Sequence, residues 1–122
     1  MLIIDDRATI VENLAEFLEL HGYAVISANN GMDGLALAQS HLPDLIVCDI
    51  LMPRMDGHTV LFILLNHSET CKIPFVFSTA KSESSDRENA LALGAMGYLI
   101  KPYDPFELLN LVETLLRVHV ER

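Results

Sequence analysis

Five short apolar runs are spaced along the chain, and a helical pattern separates each from the next. Leu2-Ile3-Ile4, Ala24-Val25-Ile26, Leu45-Ile46-Val47-Cys48, Pro74-Phe75-Val76-Phe77 and Tyr98-Leu99-Ile100 read as strands. The third run is continuously apolar, as a strand covered on both faces is. From about Ala8 to His21 the period is helical: Val11, Leu14, Phe17, Leu18 and His21 share one side, and Glu12, Glu16 and Glu19 the other. Gly22 is a natural stop for that helix. Further helices are predicted over about Met32–Ser40 and Thr59–Asn66. A fourth opens on a capping box, Ser85 with Glu88, and stops at Gly94. The last is capped by Asp104, begins at Pro105 and runs to about Arg117. Strands alternating with helices imply a parallel sheet covered on both faces.

Composition narrows the function. At 122 residues there is room for one domain, here spanning 1–122. Seventeen Asp plus Glu against eight Lys plus Arg give a net charge of −9. So acidic a chain is not expected to bind nucleic acid directly or to sit on an anionic membrane. No apolar run reaches the roughly 18 residues of a membrane-spanning helix. Cys48 and Cys71 form no CxxC and no disulfide framework, so a cytoplasmic protein with reduced thiols is expected. The five histidines are scattered, without a paired metal-binding spacing.

The chemistry lies where the apolar runs end. Asp5 and Asp6 follow the first, Asp49 the third, Thr79 the fourth and Lys101 the fifth. In a parallel sheet these ends share one edge, where ligands bind in open α/β folds. Each residue alone has an ordinary explanation as a turn former, a cap or a surface amine. Burial alone does not call for all five at successive strand ends. Two carboxylates about 4 Å apart repel by about 4 kcal/mol at an effective dielectric near 20. Such a cleft must protonate, pair with Lys101, or hold a cation. Hard oxygen donors with few other ligands suit Mg²⁺. An Asp beside Mg²⁺ is able to attack phosphorus and become an aspartyl phosphate.

These residues and their neighbours resemble the receiver domain of two-component response regulators, of the chemotaxis-regulator type. The resemblance covers nearly the whole chain. It is carried by Leu2-Ile3-Ile4-Asp5-Asp6, by Asp44 to Asp49 with Met52-Pro53-Arg54-Met55-Asp56-Gly57, by Ser78-Thr79-Ala80, and by Gly94 to Pro102. It implies an α/β fold: a flavodoxin-like, doubly wound (βα)5 sandwich with strand order 2-1-3-4-5. It implies that Asp49 is the phosphoacceptor, Asp6 a direct Mg²⁺ ligand, and Asp5 an acid that holds the metal through water. Leu51 would offer its backbone carbonyl to the metal. Thr79 would be the switch hydroxyl, Tyr98 the aromatic that moves between exposed and buried rotamers, and Lys101 the phosphate-pairing lysine before a cis proline. The implied partner is a sensor histidine kinase or phosphotransfer protein within a phosphorelay. The chain would catalyse only its own phosphorylation and dephosphorylation, without turnover of a separate substrate.

Two departures stand out. Val60 to Leu65 is apolar without a break, whereas the family commonly intersperses polar residues there. Val60, Leu61 and Leu64 fit a core stripe. Phe62, Ile63 and Leu65 are then expected to lean outward onto a partner or a second copy, or else to wrap the edge of a larger core. Only four residues precede Asp5, fewer than is usual in the family, which is compatible with a trimmed chain. The competing classes are weaker. A nucleotide- or flavin-binding domain lacks its glycine-rich loop after the first strand. An aspartate-nucleophile phosphatase would carry a second acid where Leu51 stands. A receiver-like interaction module that is not phosphorylated is the runner-up.

Overall fold

The computed structural model describes residues 1–120, with side chains through Arg117. Five βα units follow one another: β1 (Leu2–Ile4), α1 (Ala8–Leu20), β2 (Ile26–Ala28), α2 (Gly31–His41), β3 (Ile46–Cys48), α3 (Gly57–Leu65), β4 (Phe75–Thr79), α4 (Ser84–Leu93), β5 (Gly97–Ile100) and α5 (Pro105–Val120). All strand pairings are parallel and the order is β2-β1-β3-β4-β5. This is the fold class expected from the sequence.

Alternation along the central strands sorts side chains into two cores. Leu2 and Ile4, Ile46 and Cys48, and Phe75 and Phe77 join Leu35 and Ala38 of α2, Val60, Leu61 and Leu64 of α3 and Ala90 of α4. Ile3 and Val47 turn the other way, with Leu45, to meet Leu14 and Leu18 of α1 and Leu108, Leu109 and Val112 of α5. A period of two in the strands therefore gives each helix layer its own apolar floor. No helix among the described residues is long and apolar enough to cross a membrane.

Three local expectations are corrected. Strand β2 lies two residues later than the apolar run Ala24-Val25-Ile26. It is an edge strand whose register is set by β1, with Leu2 opposite Ile26 and Ile4 opposite Ala28. The Ser85–Glu88 capping box is absent. Glu83 is the N-cap of α4, without a side-chain cap, and Ser85 lies inside the first turn. The Asp86 amide there bonds the Glu83 carbonyl, while Asp86 pairs with Lys81 at 3.5 Å, so the helix starts earlier than the box predicts. In α3, Ile63 is half-buried against the core rather than outward. Phe62, 64% exposed, and Leu65, 36% exposed, remain on the surface. Elsewhere the caps follow sequence logic: Asn30 accepts from the Asp33 amide and Asp56 from the Thr59 amide.

Gly57 is where packing bears most directly on the sheet edge. It opens α3 under the end of β3, and a Cβ there would sit 2.3 Å from the Asp49 carbonyl oxygen and 2.9 Å from the Phe77 ring. Neither neighbour is a flexible chain end. Gly57→Ala is expected to lower stability by about 2–3 kcal/mol, read as a fall in the urea midpoint at unchanged m-value.

Candidate functional site

Three strands deliver charged groups to one point. The β1 end presents Asp5 and Asp6, the β3 end Asp49, and the β5 end Lys101. Backbone bonds fix these ends together: the Asp49 amide donates to the Ile4 carbonyl at 2.9 Å, and the Asp5 amide to Ala28 at 3.1 Å. Asp5 and Asp49 are buried, 3% and 6% exposed, and Asp6 is exposed. One carboxylate oxygen from each of the three lies within 4.8 Å of the others.

Lys101 spans two of them. Its Nζ donates to Asp5 Oδ2 at 2.6 Å and to Asp49 Oδ2 at 3.2 Å. The remaining oxygens are also engaged: Asp5 Oδ1 accepts from the Arg7 amide at 2.9 Å, and Asp49 Oδ1 from the Leu51 amide at 3.3 Å. Three carboxylates and one ammonium leave two negative charges in the cleft. Hard oxygen donors with that charge fit a divalent cation such as Mg²⁺. Beside them the Cys48 thiol is fully buried and donates to the Asp49 carbonyl at 3.1 Å. Burial, reinforced by the charge of Asp49, pushes this thiol well above its usual range. It is packing material and not a nucleophile.

Thr79 and Tyr98 meet through a third residue. The fully buried Thr79 Oγ1 accepts from the Lys81 amide at 3.3 Å. Tyr98 is turned inward and buried, and its hydroxyl donates to the Lys81 carbonyl at 2.8 Å. Its ring lies 6.3 Å from that of Phe77, edge to face. Burial, with the Asp86 charge second, raises the Tyr98 phenol above its ordinary value. The bond between Lys101 and Pro102 is cis, as the resemblance implied.

The structure thus brings Asp5, Asp6, Asp49 and Lys101 together and joins Thr79 to Tyr98, with Leu51 bound to Asp49 through its backbone. Phe62, Ile63 and Leu65 make none of these contacts. The sequence missed Arg7 and the backbone link through Lys81, because both act through peptide groups that no side-chain type marks.

For Lys101, burial by itself would lower the pKa. The hydrogen bond and charge of Asp5, and then those of Asp49, outweigh it and hold the ammonium above the ordinary 10.5. A folded value above the unfolded one stabilises fully below the unfolded pKa and is lost as pH climbs through the folded one. The urea midpoint of the wild type should therefore fall more steeply above about pH 10.5 than that of Lys101→Met. The tyrosines titrate in both proteins, so the difference isolates Lys101, and parallel curves would contradict the assignment.

Comparison with known proteins agrees with this geometry. The family model described as the response regulator receiver domain matches residues 1–113. PilH of Pseudomonas aeruginosa is 38% identical over 116 residues, which cover 95% of this chain and 96% of that protein. The probable transcriptional regulator ycf27 of Porphyridium aerugineum is 39% identical over 117 residues, covering 96% of this chain but 48% of that protein. The chain thus spans about half the length of relatives of the ycf27 and ycf29 type. Among solved structures, chemotaxis protein CheY4 of Vibrio cholerae superposes with a TM-score of 0.87 at 30% identity, over 93% of this chain and 95% of that one. The match over most of the chain, together with the shared fold, shows that this protein belongs to the response regulator receiver domain family.

Proposed function

We propose that residues 1–122 form one phosphoacceptor receiver unit, which takes a phosphoryl group on Asp49 and reports it through the surface of α4, β5 and α5. The observation that carries this reading is the meeting of Asp5, Asp6, Asp49 and Lys101 at the edge of the sheet. Exposed Asp6 suits a direct Mg²⁺ ligand, with Asp49 and the Leu51 carbonyl beside it. The Asp49 oxygens are held at 3.2 Å by Lys101 and 3.3 Å by the Leu51 amide, whereas Asp5 is held more closely, at 2.6 Å by Lys101 and 2.9 Å by the Arg7 amide, which suits a contact made through water. Bound Mg²⁺ would neutralise phosphoryl oxygens and orient the donor.

The chain's own groups do the rest. An Asp49 oxygen forms the new bond to phosphorus as the donor's bond to phosphorus breaks. The leaving group is the histidine imidazole of a sensor kinase or phosphotransfer protein, or the carboxylate of a small acyl phosphate; an imidazole leaving group takes its proton from water. Lys101, 3.2 Å from Asp49, stands ready to pair with the transferred oxygens. Thr79 would release the Lys81 amide and donate to a phosphoryl oxygen. Tyr98 already occupies the inward rotamer. Phosphorylation would then strengthen an arrangement the chain already reaches, by a population shift. The protein modifies only itself, in the cytoplasm, with no direct grip on nucleic acid given its net charge of −9. Phe62 and Leu65, one turn apart on α3, are the surface through which a second copy would dock.

Incubation with Mg²⁺ and acetyl phosphate should add one phosphoryl mass to the wild type and none to Asp49→Asn, read by intact-mass spectrometry. A folded wild type that gains no mass would instead support an interaction module. For the α3 surface, Phe62→Glu should lower the average mass in solution measured by light scattering. A monomer in both forms removes the self-association role.

A further inference from the structure

Strand β4 reads Phe-Val-Phe-Ser-Thr and is buried at all five positions. An aliphatic residue would satisfy such a strand, yet position 78 carries a hydroxyl that is 2% exposed. A buried hydroxyl without a partner is costly, so its partner is informative. Ser78 Oγ lies 2.8 Å from the Tyr103 hydroxyl, and either atom can donate. Tyr103 is half-buried and packs on the α1/α5 core. It lies two residues beyond Lys101, in the turn between β5 and α5.

That turn is therefore tied to the end of β4 twice. On one side the Lys101 amide donates to the Thr79 carbonyl at 2.8 Å. On the other, the Tyr103 hydroxyl meets Ser78. Successive residues of β4 point to opposite faces of the sheet. The turn is thus held by a backbone bond in the plane of the sheet and, on the face to which Ser78 points, by a side-chain bond, with Lys101 at the first and Tyr103 at the second. Beyond Tyr103 the chain is held again, as Asp104 Oδ1 accepts from the Phe106 amide at 2.9 Å.

We propose that Tyr103, through its hydrogen bond to Ser78, is a positioning residue for Lys101. It fixes the turn from which the ammonium reaches Asp5 and Asp49, and in the receiver reading, on which this rests, the phosphoryl group. Tyr103 touches none of the reacting atoms. Its effect passes through Lys101 and disappears when Lys101 is gone.

The experiment uses the whole chain with Tyr103→Phe, Ser78→Ala, Lys101→Met and the Tyr103→Phe/Lys101→Met pair. Phosphorylation by acetyl phosphate with Mg²⁺ is followed across donor concentrations. Tyr103→Phe and Ser78→Ala should each slow the rate at saturating donor by about tenfold, with the half-saturating concentration little changed. Far-ultraviolet circular dichroism and urea midpoints establish that both variants fold. In the Lys101→Met background, Tyr103→Phe should change nothing further. An unchanged rate in both single variants, or an equal loss in both backgrounds, overturns the proposal. A wild type that takes up no phosphoryl group would sink the receiver reading itself, and Mg²⁺ titration by calorimetry then decides the positioning role. Lys101 competes with the cation for Asp5 and Asp49. Tyr103→Phe should thus raise Mg²⁺ affinity about threefold in the wild-type background and leave it unaltered in Lys101→Met. Unaltered or absent binding throughout overturns the assignment.

Discussion

A single ammonium between two buried carboxylates organises the working edge of this molecule. Asp5 and Asp49 come from adjacent central strands and both lie out of water. Without a cation they would repel each other across a few ångströms of low-dielectric protein. Lys101 arrives from the far side of the sheet, 52 residues beyond Asp49 in sequence, and bonds both. The sheet topology makes this possible, because in the order β2-β1-β3-β4-β5 all the strand ends share one edge. The ion cluster also makes demands on its surroundings. The β5–α5 turn must hold its course, and the end of β3 must leave space for Gly57 to pass beneath it.

The same cluster explains why the site is poised and not satisfied. One positive charge against three negative ones is enough to fold around, and it leaves a residual attraction for a divalent cation. Asp6 is the member left facing water, where hydration limits its cost. Burial divides the three acids: the inner pair is held by Lys101 and by backbone amides, and Asp6 faces water.

The fold was legible because its signals are periodic. The continuous apolar run before Asp49 could only be an interior strand, and Pro105 after Asp104 marked the start of α5. The acids, the hydroxyl and the lysine were legible because each ends such a run. Where the reading slipped, longer-range forces prevailed. β2 took its register from β1, although Ala24-Val25-Ile26 is the more apolar stretch. Ser85 and Glu88 have the spacing of a capping box, but the helix already opens at Ser84, with the Glu83 carbonyl accepting from the Asp86 amide. Ile63 turned inward because α3 meets α2 and α4 as well as the sheet, so its buried arc is wider than one stripe. Ser78 was visible as a polar residue at the end of a buried strand. Its partner, 25 positions away, was not.

The connection between Thr79 and Tyr98 runs through one peptide neighbourhood. The amide of Lys81 faces the threonine hydroxyl and the carbonyl of the same residue faces the phenol. Every amino acid supplies that carbonyl, and every one except proline supplies that amide. This pair of bonds therefore asks for no particular side chain at position 81. The Lys81 side chain is engaged elsewhere, its ammonium 3.5 Å from Asp86 in the first turn of α4, so a change in its charge would leave both backbone bonds in place. Proline alone would cut the amide half, and it would do so without altering any side chain at either end.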